Sequence, residues 1–277
     1  ERLQGCEDRV FVAMLGGGAG TLASLGEVGL EIQDLMARKL DMKPMTMPAR
    51  TTGDHLCEYV TLLGMLASTC SKMGGEVFTL MKQEFGEVEE PVPPGTVGSS
   101  TMPQKRNPKL AQDIVAVAAQ IRALVPLALE AMITEHEANR TTSVMMNRAL
   151  DQSAVLTGDL LQYVIELFSG IQVFPERMRA NLDLSGGLIM SEAIMLELGR
   201  KLGRQRAHDA VYDAAQASVV ESRPFKDTLA EVSDVASNMT PQEIEVLLDP
   251  TEYTGICSLF AQREAAKARE VAASLNS

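Results

Sequence analysis

"LCEYVTLLGMLASTCSKMGGEVFTLM", residues 56 to 81, decides what kind of fold this chain builds. Apolar side chains recur at Leu56, Tyr59, Val60, Leu63, Leu66, Cys70, Met73, Val77, Leu80 and Met81. The spacing is about 3.5 residues and continues for roughly three heptads, the pattern of a helix packed in a bundle rather than of a strand. It predicts one helix from about Thr52 to Phe85, roughly 50 Å long. Gly74-Gly75 inside it costs about 2 kcal/mol relative to two alanines, so the pair is expected to mark a close helix contact or a local kink.

Two more long helices follow. One carries Leu110, Ile114, Val117, Ile121, Leu124, Ala128 and Met132 on one face, with Pro126 inside it and expected to bend it. The other runs from about Met145 to Ser169 with Val155, Leu156, Leu160, Val164 and Phe168. Ahead of all three, Gly16, Gly17, Gly18 and Gly20 read as a tight turn between shorter helices, since no strand precedes them and no GK[ST] follows. After Gly170 the helices shorten and breakers multiply. Leu188 to Leu202 and Arg204 to Ser222 read as two of them. "TPQE" at 240 to 243 starts another, with Thr240 as N-cap and Glu243 closing a capping box. No convincing strand is visible. The fold class is therefore all-α: a central long-helix bundle segment over residues 1–170, then a small C-terminal helical domain over 171–277.

Of the 277 residues 45% are hydrophobic, enough for a substantial core. The formal charge of -12 disfavours nucleic acid as a partner. Cys6, Cys57, Cys70 and Cys257 show no CxxC spacing, and two of them lie in the apolar helix, which points to free thiols in a reducing, cytoplasmic setting. No run of about 18 apolar residues appears, so no membrane span is expected. The opening "ERLQGCEDRV" lacks an initiator methionine and already reads as helix, as a fragment or processed chain would. The sixteen methionines read as helical core rather than as a metal-binding set.

The segment "PPGTVGSSTMPQKRNPK", residues 93 to 109, breaks this texture. A handful of residues would connect two antiparallel helices, whereas about twenty intervene here, and long irregular connections are often binding loops. Its chemistry is specific. A serine is a poor base unless a cation and backbone N–H donors stabilise its alkoxide. Gly98-Ser99-Ser100 can curl into a nest of N–H groups, Lys105 supplies positive charge, and Asn107 both donates and accepts. The set suits a substrate bearing carboxylates. No GxSxG elbow supports serine-hydrolase chemistry.

"GSSTMPQKRNP" resembles the signature of the fumarase/aspartase superfamily, GSSxMPxKxNP, at every specified position. "EFGEVEEP" at 84 to 91 is similar to the segment preceding that signature in adenylosuccinate lyases. "MRANLDLSGGLIMSEAIMLELGRKLGRQRAH" at 178 to 208 resembles the C-terminal domain of adenylosuccinate lyases and 3-carboxy-cis,cis-muconate cycloisomerases. The resemblance implies that Ser99 is the general base and that Lys105 and Asn107 bind the substrate carboxylate and stabilise its aci-carboxylate. It implies further that Ser100 and Thr101 add loop hydrogen bonds and that Met102 packs the loop. It also implies a cofactor-free homotetramer on a small di- or tricarboxylate, each site drawing residues from three subunits, with the family's acid histidine lying ahead of residue 1.

Departures narrow the branch. Gln112 stands where fumarases and adenylosuccinate lyases carry a glutamate, a position the muconate cycloisomerases also leave without one. Around "EHEANR", Ala138 and Asn147 replace arginines that hold a nucleotide phosphate, while Arg140 sits close by and His136 borders the cleft in relatives. The expected activity is anti β-elimination from a succinyl-type polycarboxylate, releasing fumarate or an analogue. The alternatives are 3-carboxy-cis,cis-muconate cycloisomerase or, in another class, a catalytically silent crystallin-like structural protein.

Overall fold

The computed structural model describes residues 1–92, 101–102 and 105–275. The chain forms two compact units, Glu1–Phe174 and Pro175–Ser277. The first begins with α1 (Glu7–Val10), β1 (Val12–Ala13), α2 (Val28–Lys39) and β2 (Lys43–Pro44). Three long helices follow: α3 (Asp54–Leu80), α4 (Lys109–Ala131) and α5 (Arg140–Gly170), with β3 (Val88–Glu89) before α4 and β4 (Gln172–Val173) after α5.

All three long helices pack on one another. Glycines fix their directions. A Cβ on Gly74 would meet Ile114 Cγ2 at 2.8 Å, and one on Gly64 would meet Val125 Cγ2 at 2.7 Å, so α3 and α4 run antiparallel. Gly74 thus marks a close helix contact, and α3 passes through it unbroken. The helix is shorter than its sequence suggests, about 40 Å for 27 residues. It ends at Leu80 because Gly86, at φ 61° and bonded back to Lys82 O at 2.7 Å, turns the chain. Small residues take much of the buried stripe: Gly64, Ala67 and Gly74 on α3, and Ala111, Ala118 and Ala128 on α4. Pro126 lies within a continuous α4.

α4 and α5 depart in detail from the sequence expectation. Although interrupted by Asp113 and Arg122, α4 is long and apolar enough to cross a membrane by length and composition; here one face of it packs on α3 and α5. α5 starts at Arg140, earlier than its apolar pattern indicates, because the Asn139 side chain accepts from Thr141 N at 2.8 Å and caps it. Its buried stripe is mixed, with Thr142, Ser153 and Thr157 beside Met146, Ala149, Leu160 and Leu167. The hydroxyls are satisfied locally: Ser153 Oγ donates to Leu150 O at 3.1 Å and Thr157 Oγ1 to Ser153 O at 2.6 Å. Val155 and Phe168, expected to pack inward, are exposed.

Strands exist, but each is two residues long, too short for period-2 alternation to register. β1 pairs with β2 in parallel, and β3 with β4 antiparallel, with Val88 opposite Val173 and Glu89 opposite Gln172. β1 precedes the glycine cluster, contrary to the sequence reading. That cluster is a close-approach turn rather than a phosphate loop: a Cβ on Gly16 would lie 1.8 Å from Pro48 O, and Gly17 and Gly20 both have φ 73°.

In the second unit α6 (Pro175–Asp183), α7 (Ser191–Leu202), α8 (Arg204–Glu221), α9 (Phe225–Glu231), α10 (Ser233–Ala236) and α11 (Pro241–Leu247) precede α12 (Cys257–Leu275). Ile194, Leu198, Val211, Phe225, Leu229 and Ile244 anchor its core. The capping box at α11 is formed, Thr240 Oγ1 accepting from Glu243 N at 3.2 Å while Glu243 Oε2 accepts from Thr240 N at 2.6 Å.

Candidate active site

Of the residues singled out from the sequence, Ser99 and Ser100 lie outside the described residues. Lys105 and Asn107 do not. With Arg106 and Lys109 they line a cleft of about 270 Å³ at the start of α4, whose other walls are Glu90, Pro91, Val92, Leu110, Asp113 of α4 and Glu166 of α5. Four polar residues within five positions reach one cleft because the chain enters the helix here. Lys105 N bonds Met102 O at 2.9 Å and Lys109 N bonds Asn107 O at 2.9 Å, and Pro108 precedes the first helical residue.

Charge in the cleft is arranged in layers. Arg106 Nε pairs with Glu89 Oε1 at 3.3 Å on β3. Glu90 is buried, and its two oxygens accept from Leu110 N and Ala111 N, each at 3.2 Å. Lys105 and Lys109 are exposed at the mouth. The cleft thus combines two ammonium groups and the Asn107 amide, which can hold a carboxylate, with the carboxylates of Glu90, Asp113 and Glu166 and the apolar surface of Pro91, Val92 and Leu110.

The remaining candidates lie elsewhere. Thr101, Met102 and Gln112 are exposed and outside the cleft lining. His136, at φ 57° in the turn after α4, and Arg140, at the first position of α5, are exposed at the opposite end of α4. That helix is about 34 Å long for its 23 residues, so one chain does not bring them to Lys105. Near that far end a second cavity of about 470 Å³ is lined by residues including His55, Asp54, Arg9 and Glu58. Arg9 holds Glu58 through Nε at 3.1 Å to both oxygens, which keeps the Glu58 carboxyl below its usual range. Among the described residues His55 Nδ1 is buried without a hydrogen-bond partner, and burial pushes its pKa down against a weaker pull from Asp54. Arg106 and Lys109 were legible as cations of the loop beside Lys105, though not given a site role; sequence reasoning missed Glu90, Asp113 and Glu166, which nothing in their spacing places there.

Comparison with known proteins bears on what this cleft belongs to. Residues 1–123 match the family described as lyase, and residues 187–263 match the adenylosuccinate lyase C-terminus. Trans-aconitate decarboxylase 1 of Mycosarcoma maydis is 40% identical over 95% of this chain and 53% of its own length. N-acetyl-S-(2-succino)cysteine lyase of Enterococcus italicus is 36% identical over 93% of this chain and 57% of its own. The crystal structure of 3-carboxy-cis,cis-muconate lactonizing enzyme from Pseudomonas putida superimposes with a TM-score of 0.83 at 32% identity, covering 97% of this chain and 59% of that one. The chain spans about half the length of the curated relatives it matches. Its signature loop, its long-helix bundle and these matches place it together with those proteins: the chain belongs to the fumarase/aspartase superfamily, in the branch of the 3-carboxy-cis,cis-muconate cycloisomerases and adenylosuccinate lyases.

Proposed function

We propose that this chain carries the carboxylate-binding half of a lyase site that performs anti β-elimination, or the reverse addition, on a small succinyl-type di- or tricarboxylate. The observation that carries the reading is the convergence of Lys105, Asn107 and Lys109 on one cleft at the end of the signature loop. In this reading Ser99 removes the proton α to a carboxylate, and the electrons move into that carboxylate as an aci-carboxylate. Lys105 and Asn107 hold the developing charge, and the leaving group departs from the adjacent carbon with a proton delivered across a site shared between chains. The elimination requires no cofactor. Sharing is supported by the distance of His136 and Arg140 from Lys105 within one chain, and by the apolar face that α5 leaves uncovered. A small polycarboxylate is favoured over a nucleotide because Ala138 and Asn147 stand where nucleotide-binding relatives carry arginines for the phosphate. The relatives named for trans-aconitate and for a succinylated cysteine support the same substrate class.

A second reading, intramolecular addition as in a 3-carboxy-cis,cis-muconate cycloisomerase, is favoured by Gln112, an exposed amide at the start of α4. An ultraviolet screen of the full-length protein with trans-aconitate, a succinylated thiol, adenylosuccinate and carboxymuconate separates the two. With the substrate in hand, Lys105→Met is expected to raise KM and lower kcat together, and Ser99→Ala to cost about a hundredfold or more in kcat. Unchanged kinetics in Lys105→Met would overturn the assignment.

A further inference from the structure

The first turn of α4 has no cap of its own. Pro108 stands at the N-cap, where its side chain offers no acceptor, and no side-chain bond closes the helix from that position. Glu90 does the work instead. Its carboxylate, 4% exposed, accepts from both Leu110 N and Ala111 N at 3.2 Å. Residue 90 enters the signature loop and residues 110 and 111 leave it, so this one side chain ties the two ends of the loop together.

Both sides of the tie are themselves held. Glu90 follows β3, which pairs with β4, and neighbouring Glu89 reaches Arg106 at 3.3 Å. On the far side of α4, the Ala111 carbonyl would sit 3.1 Å from a Cβ on Gly74, so the glycine lets the helix start pack closely against α3. A carboxylate placed in water costs nothing, whereas a buried one persists only where its bonds answer a need. Two converging backbone donors at a helix start are such a need, and they demand two acceptor oxygens. A glutamine would offer one and set its amide hydrogens against the other N–H. Lys105 and Asn107, five and three residues before Leu110, have no long element of their own; their place in the cleft follows from where α4 begins.

We infer that Glu90 is a positioning residue, acting through the start of α4 to hold Lys105 and Asn107 where a substrate carboxylate binds. This rests on the carboxylate-binding role proposed above for Lys105, and the test separates the two. In the full-length protein, with whichever substrate the screen turns over, Glu90→Gln is expected to lower kcat/KM tenfold or more while assembly and helix content stay native. Glu90→Asp, one methylene too short to reach both donors, should fall between it and the wild type. Because the effect passes through Lys105 and Asn107, Glu90→Gln added to Lys105→Met should lower kcat/KM by much less than it does alone. A residue serving stability only would lower the melting temperature, leave kcat/KM of the folded enzyme unchanged, and multiply with Lys105→Met. Wild-type kcat/KM in folded Glu90→Gln, or full multiplication of the two losses, overturns the inference. Where Glu90→Gln does not assemble, Glu90→Asp decides: wild-type kcat/KM overturns, and a several-fold loss supports. If Lys105→Met itself turns over normally, the failure lies with the role of Lys105 and not with the tie at Glu90.

Discussion

His55 shows what a single side chain contributes. It sits in the first turn of α3 with Nδ1 buried and unpartnered, and burial lowers its pKa from the ordinary 6.5. The fold therefore favours the neutral ring, while the unfolded chain takes up a proton near 6.5. The resulting stability is fully present above that value and is lost as the pH falls from it toward the folded-state pKa. Glu58 also loses stabilisation on acidification, but its ordinary value is 4.5, so the two windows separate. Between about pH 7 and pH 5.5 the melting temperature of the wild type should fall more steeply than that of His55→Phe, which cannot titrate. Equal slopes in a calorimetric pH series would show that His55 carries none of this dependence.

At the scale of elements, the neighbouring glycines of α3 make a controlled comparison. Both depress helix propensity by about 1 kcal/mol relative to alanine. A Cβ at Gly75 meets nothing within 4 Å, whereas one at Gly74 meets Ile114 Cγ2 at 2.8 Å and the Ala111 carbonyl at 3.1 Å. Gly75→Ala should raise stability by about 1 kcal/mol, and Gly74→Ala should lower it, overpacking of about 1–3 kcal/mol outweighing the propensity gain. Urea denaturation of the two variants checks the sign of each. The same helices show what the sequence revealed. α3 was legible because its apolar seam coincides with its buried stripe at Val60, Leu63, Cys70 and Val77. α5 was legible as a helix but not in its orientation, since its inward stripe holds Thr142, Ser153 and Thr157. Apolar periodicity finds a face but not what covers it. Within the site, Lys105 and Asn107 were readable as neighbours in sequence, while Glu90 was not, because its partners are backbone N–H groups twenty residues away.

For the whole molecule, exposed apolar side chains on α5 bear on the assembly expected. Val155 is 67% exposed and Ile165 60% on α5, and Ile133 is 69% exposed just past α4. Large contiguous apolar surface is rare on monomers, and closed symmetry is the usual way to cover it. The full-length protein is expected to sediment as a homotetramer at micromolar concentration. Val155→Glu combined with Ile165→Glu should shift it toward smaller species with little loss of helix content. A monodisperse monomer in the unmodified protein would mean that these faces are tolerated in water.

The pairing of β3 with β4 has a consequence for the order in which the protein is made. Val88 waits for Val173, and Glu87 O for Phe174 N at 2.9 Å, across the whole of α4 and α5. A ribosome delivers those partners last in the first unit, after both long helices have left it. α3 and α4 can zip together during synthesis through contacts closer in the chain, as between Gly74 and Ile114. During elongation Glu90 can meet the start of α4 before β4 exists, and the strand pairing that fixes Glu89 and Val88 is completed only once residues 172 to 174 are in place.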